Sequence, residues 1–96
     1  MKKVIFVVTI EEIHDQEMYG SYIRQVAEII QSHHGEYIAR SSKIVPFTGK
    51  KPERSIVIAF DSMEEARNCF FSEEYEKIKH LRENSTSSRA FFIVND

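Results

Sequence analysis

The sequence predicts an α+β chain in the order βαββαβ, a four-stranded antiparallel sheet with two helices on one face. Three observations predict it. Short β-branched apolar runs stand at Val4–Ile10, Ser55–Phe60 and Arg89–Val94, each too short for a helix. Between the first two lies a stretch with apolar residues at helical spacing, opened by an acid and closed by a glycine. Before the last lies a second helical stretch, opened by Ser62-Met63-Glu64-Glu65.

Taken in order, the first strand is expected over Val4–Ile10. Asp15 then caps a helix, because its carboxylate accepts free N–H groups of the first turn. Met18, Tyr19, Tyr22, Ile23, Val26, Ile29 and Ile30 form its apolar stripe. Gly35 is expected to end it in the positive-φ region. Gly20, inside it, costs up to about 1 kcal/mol against Ala, and a close helix–sheet approach would account for it. Tyr37–Phe47 reads as the second strand, with Pro46 near its end. Gly49–Pro52 is a turn and Ser55–Phe60 the third strand. The Ser62 hydroxyl and the Glu65 carboxylate form a reciprocal capping box for a helix through Ala66, Cys69 and Phe70. Ser72 starts a further helical segment carried by Tyr75, Ile78 and Leu81, which Tyr75 and Arg82 are expected to anchor. The polar run Glu83–Ser88 reads as a loop, and Arg89–Val94 as the fourth strand. Right-handed crossovers turn this order into a ferredoxin-like sandwich.

The 96 residues suffice for a single domain, 1–96, and 42% of them are hydrophobic, which excludes disorder. The net charge of −2 gives no reason to expect nucleic acid, and Lys43, Lys50, Lys51 and Arg54 form no basic stripe. No run approaches the ~20 apolar residues of a membrane span, so no membrane is expected. The amino-terminal apolar run is too short for a signal peptide, and two glutamates follow it. One cysteine, Cys69, allows no internal disulfide and no cysteine zinc site, and a cytoplasmic location is expected.

The sheet should be apolar on both faces. In the first strand Val4, Phe6, Val8 and Ile10 alternate with Ile5 and Val7. In the third, Ile56, Ile58 and Phe60 alternate with Val57 and Ala59; in the fourth, Phe91 and Ile93 alternate with Phe92 and Val94. Two helices cover one face only. A homodimer through the open sheet face is therefore expected, a dimeric α/β-barrel.

Three segments carry a family likeness: HHGEYIAR at His33–Arg40, KPERSIVIAFDSMEEA at Lys51–Ala66, and SEEYEKIKHLR at Ser72–Arg82. In their order and spacing the chain resembles the domain-of-unknown-function family thirteen-thirty, of the dimeric α/β-barrel superfamily. The chain departs from the family pattern at Glu36, Lys50, Lys51, Cys69 and Glu73. The resemblance implies the same fold and no particular activity. The superfamily's cofactor-free monooxygenases, isomerases and haem enzymes offer analogy alone.

The candidate residues each have two readings. His34 is either a proton-transfer group or a structural imidazolium at a helix C-terminus. Arg40, placed on the face of Ile38, either orients an anionic substrate or keeps an edge strand from aggregating. Arg54 either reaches the cavity mouth or pairs with Glu53, Asp61 or a partner-chain carboxylate. Tyr37 and Tyr19 either line a pocket with hydroxyl donors or pack the core or interface. Cys69 reads as a buried inert thiol. His33 and His34 diverge on a helix, so no metal site is expected. No cofactor is expected either, and no His stands isolated on an apolar wall for haem. No Walker loop, GxSxG, HExxH or dinucleotide fingerprint is present. Two functions follow. One is a cofactor-free small-molecule enzyme of isomerase or monooxygenase type, with His34 and Arg40 catalytic and Arg54 and Tyr37 holding a small anionic or carbonyl substrate. The other is a non-catalytic dimer that binds a ligand or a protein.

Overall fold

The structure, a computed structural model, describes residues 2–95. Its elements are β1 (Val4–Ile13), α1 (Gln16–Ser32), β2 (Glu36–Ser41), β3 (Arg54–Phe60), α2 (Met63–Phe70), α3 (Glu73–Glu83) and β4 (Thr86–Val94). The strands form one sheet in the order β2-β3-β1-β4. β1 pairs antiparallel with β3 and β4, and β2 pairs antiparallel with β3. So β1 runs parallel to β2 across β3, and β3 parallel to β4 across β1. These two interlocked split βαβ units make the ferredoxin-like α+β fold.

The helix starts are those the side chains dictate. Asp15 Oδ1 accepts the Met18 N–H at 3.0 Å, Ser62 Oγ the Glu65 N–H at 3.2 Å, and Ser72 Oγ the Tyr75 N–H at 3.2 Å. The reciprocal half of the capping box is replaced, because the Glu65 carboxylate turns to His34 Nδ1 at 2.7 Å. The core lies between the helices and one sheet face. Ile10, Ile30, Ile58 and Phe60 are its best buried large side chains, and Phe6 stacks on Phe70 at 4.1 Å between ring centroids.

Three strand boundaries differ from the sequence reading by three residues or more, the first being β1, which ends at Ile13 and not Ile10. β2 stops at Ser41, not Phe47. Ser41 pairs with Ser55, one residue from the start of β3, so a longer β2 would outrun its partner. Val45 and Phe47 fall in the connection that follows and are fully exposed. β4 begins at Thr86, not Arg89. Its polar start pairs with a β1 that continues to Ile13 past a register shift between Ile10 and Glu12. The available ladder decides the conformation here, over the loop-like composition.

Neither glycine of the α1 region has its expected role. Gly35 does not have positive φ; His34 does, at 65°. Gly35 is required by packing instead: a Cβ there would stand 2.6 Å from Ile30 Cγ2 and 2.9 Å from the Phe60 ring. At Gly20 no close sheet approach exists, and a Cβ would meet only the Arg24 Nη1 at 3.4 Å.

The face of the sheet away from the helices carries Ile5 and Val7 from β1, Val57 from β3, and Phe91 and Ile93 from β4. Phe91 and Ile93 are 43% and 45% exposed. Among the described residues, the helices pack on the opposite face only.

Candidate functional site

A cavity of about 220 Å³ lies between the sheet and the helices. Its floor is Phe6, Val8 and Ile10 of β1 with Ile56 and Ile58 of β3. Its roof is the α1 stripe of Tyr19, Tyr22, Ile23, Val26 and Ile30, closed at one end by Phe70 of α2. Into these apolar walls come three arginines, Arg40, Arg54 and Arg82.

Strand register places them. Arg54 lies opposite Ile10 on β3, and Ser88 lies opposite Ile10 on β4. Arg82 of α3 donates from Nη1 to Ser88 Oγ at 3.0 Å, with its Nε 3.5 Å from the Tyr75 hydroxyl. Two guanidiniums therefore flank the Ile10 end of the cavity. The other end, around Phe6, Ile58 and Phe70, is apolar apart from Tyr37, which lies opposite Ile58.

Arg40 enters midway, opposite Ile56. Its guanidinium carbon stands 4.2 Å from the Tyr37 ring centroid, a cation–π stack. That stack depends on a bulge. Tyr37 pairs with Ile58, but Ala39 pairs with Val57, so Ile38 is an extra residue in β2. The parity of the strand reverses there. Arg40 thus shares the cavity face with Tyr37, and its expected place on the face of Ile38 is corrected.

Among the described residues, none of the three arginines has a carboxylate within ion-pair distance. The intrachain pairs considered for Arg54 do not form. The Glu53 carboxylate accepts the Ile13 N–H, and Asp61 lies 3.6 Å from Lys2 Nζ. Arg54 Nε and the Tyr19 hydroxyl are both buried with no hydrogen-bond partner.

The phenols of the site are held protonated. Burial pushes the Tyr19 pKa up, against the nearby positive charges of Arg54 and Arg82. Burial also raises Tyr22 strongly, and its 2.9 Å hydrogen bond with the Tyr75 hydroxyl adds to this. Tyr37 is raised by burial, with Arg40 opposing. Burial alone would lower the pKa of Arg82, but Tyr75, Tyr22 and Glu83 outweigh it, so the guanidinium stays charged. At neutral pH the site offers cations and hydroxyl donors in an apolar setting. Among the described residues, no His, Asp, Glu or Cys lines this cavity.

A more open depression adjoins the Ile10 end. Gln16, Ser42 and Glu53 line it, and it shares Tyr19, Ile23 and Arg54 with the inner cavity.

Of the residues singled out from sequence, the cavity joins Arg40, Arg54, Tyr37 and Tyr19. His34 is not among them. Its side chain is 74% exposed and paired with Glu65 at 2.7 Å on the outer surface, so it does not join Arg40 and Arg54 at this cavity. His33 pairs instead with Glu74 at 3.8 Å. Cys69 is fully buried, and burial pushes its thiol up to about 12. Among the described residues, no cluster of three or more His, Cys, Asp and Glu is placed to hold a metal. Sequence reasoning missed Arg82 and Tyr22 as cavity groups. A signal for Arg82 was available: it follows the buried Tyr75 by seven residues, two helical turns along the same face.

Fold and cavity together define a small ferredoxin-like α+β protein with a cation-lined pocket between sheet and helices. The chain belongs to the family described as Domain of unknown function (DUF1330), whose model matches residues 3–96. A comparison with curated proteins finds no match. Among solved structures, a protein of unknown function from Rhodopseudomonas palustris is similar, with a TM-score of 0.80 at 11% identity. That alignment covers 100% of this chain and 85% of the other. The hydroxynitrile lyase of Passiflora edulis has a TM-score of 0.74 at 8% identity, covering 100% and 96%. SnoaB, a cofactor-independent oxygenase of Streptomyces nogalater, has a TM-score of 0.65 at 10% identity, covering 100% and 95%. At these identities the likeness is one of fold.

Proposed function

We propose that this protein binds a small organic anion between sheet and helices and acts on it as a cofactor-free enzyme of isomerase or monooxygenase type. The observation that carries this reading is the set of three guanidiniums around an apolar cavity with, among the described residues, no carboxylate within ion-pair distance of them. Arg54 Nε in particular is buried without a partner, which is costly unless an acceptor meets it, and a bound anion would supply one. Arg54 and Tyr37 contact the substrate, while Arg40 adds positive charge midway along the cavity. Fixed cations and phenolic donors stabilise charge that develops on a carbonyl oxygen, as in an enolate. Because the walls carry no carboxylate or imidazole base, the reading fits a substrate acidic enough to supply its own anion. The kinship of fold with a cofactor-independent oxygenase and a hydroxynitrile lyase is compatible with it.

Those base-free walls also favour a second reading, a non-catalytic binding module. Incubation with a panel of small carboxylates and 1,3-dicarbonyl compounds under air separates the two. Mass spectrometry reads turnover, and a thermal shift reads binding. At one hundred times Kd a ligand stabilises the fold by about 2.7 kcal/mol. Turnover supports the enzyme; stabilisation without turnover supports the module; neither sinks both.

The homodimer through the open sheet face is part of the proposal. Its support is the apolar surface of Ile5, Val7, Val57, Phe91 and Ile93, which nothing among the described residues covers. Light scattering at micromolar concentration should find twice the chain mass of 11.3 kDa, and a clean monomer would refute it. A reducing, cytoplasmic setting belongs to the same reading and rests on the lone buried cysteine.

A further inference from the structure

We propose that the Ile10 end of the cavity is a carboxylate seat formed by the Tyr19 hydroxyl and the Arg54 guanidinium. It takes a monocarboxylate whose flat or branched apolar body points inward toward Phe70. The inference rests on the anion-binding reading above and assigns it an end, an orientation and a ligand class.

Three observations converge on this end. Tyr19 is only 6% exposed, and its hydroxyl lacks a partner. Arg54 Nε, also buried and unpartnered, belongs to the neighbouring guanidinium. Buried donors without acceptors are rare, since each forfeits its hydrogen bonds to water. A carboxylate supplies two acceptor oxygens and one negative charge, which matches one O–H, one N–H and one cation. Arg82 adds positive charge at the same end, but Ser88 and Tyr75 already fix its guanidinium. It sets the local field and leaves the direct contacts to Tyr19 and Arg54.

The remaining walls set the rest of the ligand. The outer depression shares Tyr19, Ile23 and Arg54 with the cavity, so the seat lies at the threshold between them. Inward, Phe6, Ile30, Ile58 and Phe70 offer only apolar surface. From Ile10 to Phe6 the strand rises roughly 13 Å at ~3.3 Å per residue, room for a carboxyl group and one ring or branched chain. The 220 Å³ volume is below the roughly 300 Å³ at which drug-sized pockets begin, which limits the ligand to one such group. An inorganic anion would leave the apolar end empty. Arg40, stacked on Tyr37 midway along the floor, stands apart from the seat.

The test is calorimetric titration of the purified full chain with benzoate and 3-methylbutanoate, each against its neutral amide. Circular dichroism checks the fold of every variant. The acids should bind at least about tenfold more tightly than the amides. Tyr19→Phe, which removes one oxygen and keeps the ring, should weaken acid binding about tenfold, the scale of one hydrogen bond to a charged group. Arg54→Lys, which keeps the charge and loses the fork, should weaken it at least as much. Lys79→Met, which removes a surface cation outside the cavity, should change it less than about threefold. If the acids bind but Tyr19→Phe matches wild type, the seat is refuted and the anion-binding reading stands. If Arg54→Lys fails to fold, Tyr19→Phe alone decides. If acids and amides bind equally, the carboxylate assignment is refuted. If neither acid binds wild type, this seat is refuted, and the wider panel then judges the general reading.

Discussion

Replacing each of two glycines by alanine should move stability in opposite directions. At Gly35 the new methyl would stand 2.6 Å from Ile30 Cγ2 and 2.9 Å from the Phe60 ring. Carbon atoms normally rest ~3.5–4.0 Å apart, so both contacts overlap deeply. Ile30 and Phe60 are 2% and 0% exposed and cannot swing aside. Overpacking of this kind costs about 1–3 kcal/mol. The φ of Gly35 is not positive, so no backbone strain adds to it. Losing a glycine's freedom in the unfolded chain returns about 0.4–1 kcal/mol. The net loss is about 0.5–2 kcal/mol, which lowers the melting temperature of a chain this size by roughly 2–16 °C. At Gly20 the methyl meets only the end of a flexible Arg24 side chain, and α1 gains about 0.5–1 kcal/mol in helix propensity. Urea denaturation of both variants beside wild type measures the pair. An unchanged or raised midpoint for Gly35→Ala, or a lowered one for Gly20→Ala, would refute the packing argument.

Other expectations follow from the same geometry. Tyr22→Phe breaks the buried bond to Tyr75 and should cost about 0.5–1.5 kcal/mol by urea titration. Because the folded state raises the Tyr22 pKa, the unfolded chain ionises first near pH 10. Stability from this group is present below that pH and declines above it, so Tyr22→Phe should flatten the loss between pH 9 and pH 11. Cys69, buried and raised to about 12, should resist a thiol reagent at pH 8 until denaturant is added. Labelling at the same rate with and without denaturant would contradict its burial. His34→Ala should leave carboxylate affinity unchanged in calorimetry and cost at most about 1 kcal/mol, since its pair with Glu65 lies at the surface.

The sheet order and the helices were legible because apolar period and capping residues are local signals. Asp15, Ser62 and Ser72 each start a helix as their side chains predict. What escaped reading was non-local. Gly35 resembles a helix-ending glycine, yet Phe60, twenty-five positions on, is one of the neighbours that requires it. Ser41 ends β2 because β3 supplies no further partner, a fact absent from the residues 42–47 themselves. Arg54 and Tyr37 were recognisable as cavity candidates by chemistry alone. The convergence of Arg54 with Arg82 was not, because it depends on both being flanking partners of Ile10 through β3 and the β4 residue Ser88. His34 was favoured by its pKa class and its neighbour Gly35, and the fold turns it outward onto Glu65.

The extra residue at Ile38 works as a phase shift. Before it, odd numbers in β2 meet the cavity; after it, even numbers do. Arg40 is therefore sensitive to the length of the strand as well as to its own identity. Deleting Ile38 would keep both the tyrosine and the arginine yet send the arginine to the surface proposed for the second copy. An alignment that slips a single gap across this strand would trade ligand contacts for subunit contacts without changing a letter. Comparisons within the family should thus count positions between the tyrosine and the arginine before comparing what stands at them.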